Sequence, residues 1–202
     1  NHITNGILYD WDYENYDGKP TKFSAHPAEL TNSLEASGNV AFRFEFDEAF
    51  SLAPFVNINY SHSSMTAHDG YYQYPTGNGY WNENLPTHDM QGRAITYTNT
   101  MLYPSAGLQF RTNIWDCFGI QAGFSATPWV YATSGDKHWL RDLAITDKMY
   151  GGFGFFGDIK IDFSFKRYHT ISFFASSETI QNVKGASTRN TIENAGPPVP
   201  NG

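Results

Sequence analysis

Towards its C-terminal end the chain contains a segment whose side chains separate onto two chemically different faces. In FGFFGDIKIDFSF, residues 153–165, an extended backbone would point successive side chains to opposite sides. One side then carries Phe153, Phe155, Ile159, Ile161, Phe163 and Phe165. The other side carries Asp158, Lys160 and Asp162, and the core of a soluble β-sandwich would not tolerate these charges. We therefore expect the apolar face to contact lipid and the charged face to line the interior of a membrane barrel.

Four other stretches show the same alternation, which indicates strands rather than helices. They are VAFRFEF (40–46), FVNINYSHS (55–63), FGIQAGFSATPWV (118–130) and TISFFASSETI (170–180). The composition agrees, because 17% of the residues are aromatic and only 16% are charged. Aromatic and small polar residues suit strands and turns. The sequence therefore predicts an all-β protein.

The segments between these strands differ regularly in length. Short links lie near 47–50, 112–117 and 166–169, and long polar stretches lie at about 10–35, 66–92, 132–148 and 180–202. Short turns on one side and long loops on the other are typical of outer-membrane barrels, so we predict an antiparallel transmembrane β-barrel with about six to seven strands. Because closed single-chain barrels start at ~8 strands, we expect residues 1–202 to form a single partial barrel domain.

The composition and spacing disfavour two kinds of partner. The formal net charge of −7 argues against a nucleic-acid partner, which would need clustered Lys and Arg. Metal-ligand spacings such as H-x-x-x-H and C-x-x-C do not occur, and the one cysteine is Cys117. We therefore expect no metal and no other cofactor.

Two pairs of polar residues are candidates for a catalytic site. Asp10 and Asp12 lie in YDWDY, and Asp136 and His138 lie in SGDKHW. The members of each pair are two positions apart, so both point to the same side of an extended segment. Each pair also stands where a predicted long loop begins. We therefore expect both pairs at the same end of the barrel.

These residue types can together activate a water molecule. A carboxylate beside His138 orients the ring and favours its role as a proton acceptor. The histidine and an aspartate across a gap could deprotonate a water for attack on a peptide carbonyl, without a covalent intermediate. One of Asp10 and Asp12 could stay protonated near neutral pH, because neighbouring carboxylates share protons. On their own, however, D-x-D and D-x-H indicate surface residues more often than a site.

Longer stretches around these residues resemble the omptins, a family of ten-stranded outer-membrane β-barrel endopeptidases. The similar stretches are YDWDY, SAHP (24–27), MTAHDGYYQY (65–74), GRAITYTNTMLYPSAGLQF (92–110), WVYATSGDKHW (129–139) and TIENAG (191–196). They occur in the family's order and cover nearly the whole chain. We expect the family's first strands and its last strand to have no counterpart here.

The resemblance implies a role for each member of the two pairs. Asp10 and Asp12 match the family's first catalytic aspartates, and Asp136 and His138 match its aspartate–histidine couple. Water would be held between Asp10 and His138, across a gap of roughly 5–6 Å that one water can bridge. Asp136 would orient His138, and Asp12 would support Asp10. The resemblance further implies polypeptide substrates, no cofactor, and a site facing the cell exterior from the outer membrane.

Four positions depart from the family or qualify the resemblance. Ser134 stands where the family has an acid in the pocket for the residue before the scissile bond, so we expect weaker selection for arginine. Tyr60 and His62 stand where the family pattern has Glu and Arg, which puts lipopolysaccharide binding in doubt although outer-membrane lipid is still expected. His26 matches a loop histidine of the family. It could support the site, although a histidine satisfied within its own loop is more common.

Two other interpretations remain open from the sequence. A non-catalytic outer-membrane barrel, either an adhesin or a structural subunit of an envelope assembly, would keep the scaffold without the activity. A soluble β-sandwich binding module would instead bury the phenylalanine-rich faces. Convergence of the two polar pairs in space would favour the endopeptidase, and outward-facing phenylalanines would argue against the sandwich.

Overall fold

The described residues of the chain form one antiparallel β-sheet of thirteen strands. The computed structural model describes residues 5–15, 17–115, 117–165 and 169–192. The strands are β1 (Asn5–Asp12), β2 (Lys22–Ala41), β3 (Phe44–Glu45), β4 (Phe50–His68), β5 (Tyr71–Gln73), β6 (His88–Asp89), β7 (Arg93–Trp115), β8 (Phe118–Thr127), β9 (Val130–His138), β10 (Leu143–Gly151), β11 (Phe153–Phe165), β12 (His169–Gln181) and β13 (Lys184–Asn190). A turn of 3-10 helix, Trp139–Arg141, joins β9 to β10. Within the described residues, no helix is both long and apolar enough to cross a membrane.

The all-β antiparallel class is confirmed, but the strand count is higher than the predicted six to seven. Strands β3, β5 and β6 are only two or three residues long, and three long passes are each divided in two, as β8/β9, β10/β11 and β12/β13. Pro128 has no N–H and separates β8 from β9. Positive φ angles at Gly152 (74°) and Asn182 (58°) mark the other two breaks. Apolar alternation predicts strands but not local interruptions of this kind.

Three of the four predicted long loops are shorter than expected. β2 begins at Lys22 inside the predicted loop 10–35, β9 and β10 fill most of 132–148, and β12 and β13 extend through most of 180–190. Only the stretch between β4 and β7, predicted as 66–92, is largely irregular. Strand segments that are polar on both faces lack alternation, so they resemble loops in the sequence. Residues 166–168 of a predicted link, and residues 193–202 of the last predicted loop, lie outside the described residues.

The sheet is open in the described part of the chain. Its order is β12, β11, β8, β7, β4, β2, β5 and β6; β1 also pairs with β2, β3 with β4, β9 with β7 and β10, and β13 with β10. Among the described residues β1 pairs only with β2, and β12 only with β11. In the described residues, β1 and β12 are therefore edge strands that do not pair with each other, and the sheet does not close between them.

Cross-strand partners place apolar residues on one face of β11 and charged residues on the other. Phe163 lies opposite Phe118 of β8, and its ring centroid is 4.9 Å from that of Phe118 and 6.2 Å from that of Phe173 on β12. On the other face, Lys160 forms an ion pair with Asp162 at 3.0 Å. Most of the apolar residues predicted to face lipid are exposed, and all described strands belong to one sheet, so no second sheet covers them. This arrangement argues against the soluble sandwich.

The outer face changes from apolar to polar towards one end of the sheet. Leu102 of β7, Tyr131 of β9 and Tyr150 of β10 are adjacent on this face. Beyond them the outer positions of β7 and β9 are occupied by Thr100, Thr98, Thr96, Thr133, Gly135 and Lys137. The end of β9 therefore extends roughly 20 Å along the strand past the apolar band.

Two adjacent residues of β12 test which face contacts lipid. Ala175 lies opposite Ile159 on the apolar face, and Ser176 lies opposite Asp158 on the polar face. In lipid vesicles we expect Ala175→Lys to lower the free energy of unfolding by ~2–4 kcal/mol, because the charge would enter hydrocarbon. Ser176→Lys should have little effect, since its ammonium can approach Asp158. Denaturant unfolding measures both variants, and equal losses would contradict this assignment of the faces.

Candidate functional site

The four predicted catalytic residues lie on the same face of the sheet and near the same end. Asp10 and Asp12 are at the end of β1, and Asp136 and His138 are at the end of β9. Cross-strand partners in an antiparallel sheet lie on the same face, and a chain of such partners connects the two pairs. The partners are Leu8 with His26, Ala28 with Ala67, Ala67 with Ile95, and Ile95 with His138. Through β7 and β8 it continues into the polar face of β11.

The sheet must curl strongly to bring the two pairs together. Strands β2, β4 and β7 lie between β1 and β9, so the pairs are four strand spacings apart, roughly 19 Å along the sheet at ~4.8 Å per spacing. His138 Nδ1 is nevertheless 3.8 Å from Asp10 Oδ2. The ends of β1 and β9 therefore face each other across a cleft.

The two nitrogens of the His138 ring face different carboxylates. Nε2 donates a hydrogen bond to Asp136 Oδ2 at 3.0 Å, because an ionised carboxylate can only accept. Nδ1 then faces Asp10 and carries the lone pair when the ring is neutral. The separation of 3.8 Å is shorter than the expected gap of roughly 5–6 Å. A water ~2.8 Å from both atoms would therefore sit beside the line joining them rather than on it.

Protonation of Asp10 and His138 is favoured by their surroundings, which lie beyond the apolar band. The hydrogen bond to Asp136 raises the pKa of His138 above its ordinary value, burial opposes this effect, and the charges of Asp136 and Asp10 add to it. Burial raises the pKa of the Asp10 carboxyl, while the neighbouring His138 lowers it and Asp12 raises it further. Both shifts favour retention of a proton in the cleft between β1 and β9.

Asp12 contacts a residue that sequence reasoning missed. Its Oδ2 accepts from Arg141 Nη1 at 2.9 Å, in an ion pair whose side chains are 24% and 32% exposed. Arg141 ends the 3-10 turn after His138 and also donates through Nη2 to the hydroxyl of Tyr74. A single arginine three residues after a histidine forms no recognisable motif, so the sequence offered no signal for this contact.

His26 lies beneath the cleft and is satisfied by its neighbours. It is 1% exposed, and its Nδ1 lies 2.5 Å from the carbonyl oxygen of Asp69 while Nε2 lies 2.9 Å from Ser24 Oγ. Ser24 is the cross-strand partner of Asp10. His26 therefore connects the turn after β4 with the strand beside Asp10, and both of its ring nitrogens are occupied.

Ser134 lies next to the carboxylate of Asp147, a residue of β10. Its hydroxyl donates to Asp147 Oδ2 at 2.7 Å, and Asp147 Oδ1 accepts from Ser187 of β13. Asp147 faces Ser134 across the β9–β10 ladder and so shares the face of Asp136 and His138. The expectation of weak arginine selection was based on Ser134 alone. Asp147 is a further carboxylate on this face that the expectation did not include.

A cavity of about 620 Å³ opens beside Asp10 and His138. Asp10, His138 and Arg141 line it, together with Tyr74 and Leu140. Aromatic, aliphatic and charged side chains thus surround the space beside His138. Among the described residues, no group of three or more His, Cys, Asp or Glu side chains is arranged to hold a metal ion.

The two positions that differ from the family's lipopolysaccharide pattern lie on the outer face of β4. Tyr60 is opposite Leu102, at the edge of the apolar band. His62 is one step further on the same face, and its Nδ1 lies 2.8 Å from Thr100 Oγ1. These side chains belong to the surface of the sheet and are on the opposite side from the cleft.

Comparison with known proteins gives a consistent family match. A family model described as the omptin family matches residues 5–197. The plasminogen activator of Yersinia pestis is 33% identical over 145 residues, which cover 71% of this chain and 44% of that protein.

The fold is also similar to that of a solved structure. The crystal structure of outer membrane protease OmpT from Escherichia coli superposes with a TM-score of 0.74 at 18% identity. The match covers 93% of this chain and 63% of that chain. At this identity the likeness concerns the fold, and the chain spans less than two thirds of the length of either relative.

Proposed function

The chain belongs to the omptin family, and on that premise we propose that it is an outer-membrane endopeptidase that cleaves polypeptides with a water activated by His138 and Asp10. The observation that carries this proposal is the approach of Asp10 to His138 at 3.8 Å, from strands four spacings apart, at the wall of a cavity of about 620 Å³. Such convergence favours an active site over the non-catalytic barrel. A surface loop or an adhesin has no need for it.

The proposed chemistry begins with a neutral His138. Asp136 holds the Nε2 proton, so Nδ1 can accept a proton from a water lodged beside Nδ1 and Asp10. As the proton moves to Nδ1, the water oxygen forms a bond to the peptide carbonyl carbon and gives a tetrahedral intermediate. The protonated His138 then returns its proton to the departing amine nitrogen as the C–N bond breaks. A carboxylic acid and an amine result, and the histidine is neutral again.

A covalent route through a nucleophilic side chain is disfavoured by the contacts of His138. Serine or cysteine nucleophiles are activated by a hydrogen bond to a histidine. In the cleft, one ring nitrogen binds Asp136 and the other faces Asp10. Ser24 hydrogen-bonds to His26 rather than to His138, and it is buried with 2% of its surface exposed. The attacking oxygen that we propose beside His138 is therefore that of water.

The distribution of polar and apolar residues supports the proposed location. The apolar outer face suits contact with membrane lipid, and the end carrying the site extends past that face. The irregular stretch between β4 and β7 lies at this same end and contributes Tyr74 to the cavity. In outer-membrane barrels the long connections are extracellular, so the site would face the cell exterior.

A quenched peptide library tests the proposal. We expect the protein in lipid or detergent to cleave a subset of peptides, and Asp136→Ala or His138→Ala to lower kcat/KM by ~10²–10⁴, because each removes part of the general base. His169→Ala is the matched control, since His169 begins β12 and stacks on Phe165. It should cleave as the unmodified protein does. A barrel that folds but cleaves no member of the library would favour the non-catalytic interpretation.

Cleavage preference tests the role of the carboxylate beside Ser134. We propose that Asp147 binds a cationic substrate side chain, which would otherwise have no counter-charge beside Ser134. Peptides with arginine before the scissile bond should be cut about 2- to 5-fold faster than matched citrulline peptides, as expected for one partly exposed charge pair. Asp147→Asn should remove most of this difference, whereas Ser134→Asp should preserve or increase it. Equal rates on the two peptides in the unmodified protein would restore the expectation of weak arginine selection.

A further inference from the structure

Arg141 joins three parts of the molecule that are distant in sequence. It ends the turn after β9, its Nη1 donates to Asp12 on β1, and its Nη2 donates to Tyr74 in the stretch between β5 and β6. The guanidinium also lies over the Tyr74 ring, 5.6 Å from the centroid. These contacts occur at the wall of the cavity that Asp10 and His138 line.

Because β1 is an edge strand, the contacts of Arg141 can determine where Asp10 lies relative to His138. Among the described residues the only strand partner of β1 is β2, and β9 is reached from there through β4 and β7. Small changes of twist at each ladder would add up across the four spacings and move Asp10 relative to His138. In the described chain, the ion pairs that cross the cleft between β1 and this end of β9 are Asp12 with Arg141 and Asp10 with His138.

We propose that Arg141 is a positioning residue that clamps β1 to the turn after β9, through Asp12 and Tyr74, and so fixes the separation of Asp10 and His138. The kinetic test of this inference rests on the proposed endopeptidase function, whereas the test by amide hydrogen exchange does not. It assigns Asp12 to the clamp, whereas the family resemblance implied that Asp12 supports Asp10 directly.

The charges around Arg141 support a clamp. Asp10 and Asp12 face it from β1, His138 from the end of β9 and Tyr74 from the connecting stretch, and Asp89 of β6 lines the same cavity. Without the guanidinium, the carboxylates of Asp10 and Asp136 would face each other across the cleft with His138 between them. Their repulsion would push β1 away from β9. The planar fork can hold two partners at once, which a lysine ammonium cannot do in the same geometry.

Amide hydrogen exchange tests the clamp without any need for activity. In Arg141→Met the segment 5–15 should exchange faster than in the unmodified protein, because the edge strand loses its contact across the cleft. Lys137→Met is a matched control, since it removes one positive charge next to His138 from a side chain on the outer face. It should leave exchange of the segment unchanged. Identical exchange in the Arg141→Met and Lys137→Met variants would overturn the proposal.

Kinetics test the consequence for the site. Arg141→Met should lower kcat by about 100-fold, since a misplacement near 1 Å can have that effect, and KM should change far less. Arg141→Lys should recover part of kcat, because one of the two contacts can re-form. In a double-mutant cycle, adding Asp12→Asn to Arg141→Met should lower kcat no further than the worse single change. Multiplicative losses would overturn the clamp and indicate that Arg141 acts on the substrate directly.

The two experiments separate failure of the clamp from failure of the proposed function. If the protein cuts no peptide but Arg141→Met still accelerates exchange of 5–15, the clamp stands and the endopeptidase proposal fails. If the protein is an active peptidase and neither exchange nor kcat changes in Arg141→Met, the endopeptidase proposal stands and the clamp fails.

Discussion

The approach of His138 to Asp10 depends on the curvature of the sheet between β1 and β9. Four strand spacings separate the two residues along the sheet, yet their side chains approach to 3.8 Å. The curled sheet places this pair on its polar concave face, and its convex face is apolar. The alternation visible in residues 153–165 is therefore more than a strand signal. It separates the lipid-compatible surface from the surface that carries the proposed site.

Much of this arrangement could be predicted from residue order. Period-two alternation predicted the all-β class and the faces of β11, and equal spacing in the two polar pairs predicted that Asp10 and Asp12, like Asp136 and His138, share a side. Strand ends were harder to predict. In the stretch 132–148, hydroxyl and charged residues occur on both faces of β9 and β10, so no alternation distinguishes strand from loop. The breaks at Pro128, Gly152 and Asn182 are backbone events with no effect on hydrophobic pattern.

Contacts between distant segments could not be predicted at all. Asp147 lies 13 positions after Ser134, but it faces Ser134 only because β9 and β10 pair in one particular register. Arg141 contacts Asp12 because the sheet curls, and the sequence around either residue does not predict this ion pair. Both residues change the chemical interpretation: Asp147 supplies a carboxylate where Ser134 alone has none, and Arg141 gives Asp12 a partner other than Asp10. Side-chain chemistry is readable from sequence, whereas partners across a cleft are set by the tertiary fold.

The proposed mechanism requires that His138, oriented by Asp136, accepts the proton of the attacking water. The most direct measurement is the pH dependence of kcat/KM on one quenched peptide, with the NMR titration of His138 in the same protein. Because the base must be neutral, we predict that kcat/KM rises as the pH passes the pKa of His138, which lies above the ordinary ~6.5. Asp136→Asn should move the acidic limb and the NMR titration together to lower pH. An acidic limb that stays in place while the titration of His138 moves would contradict the account.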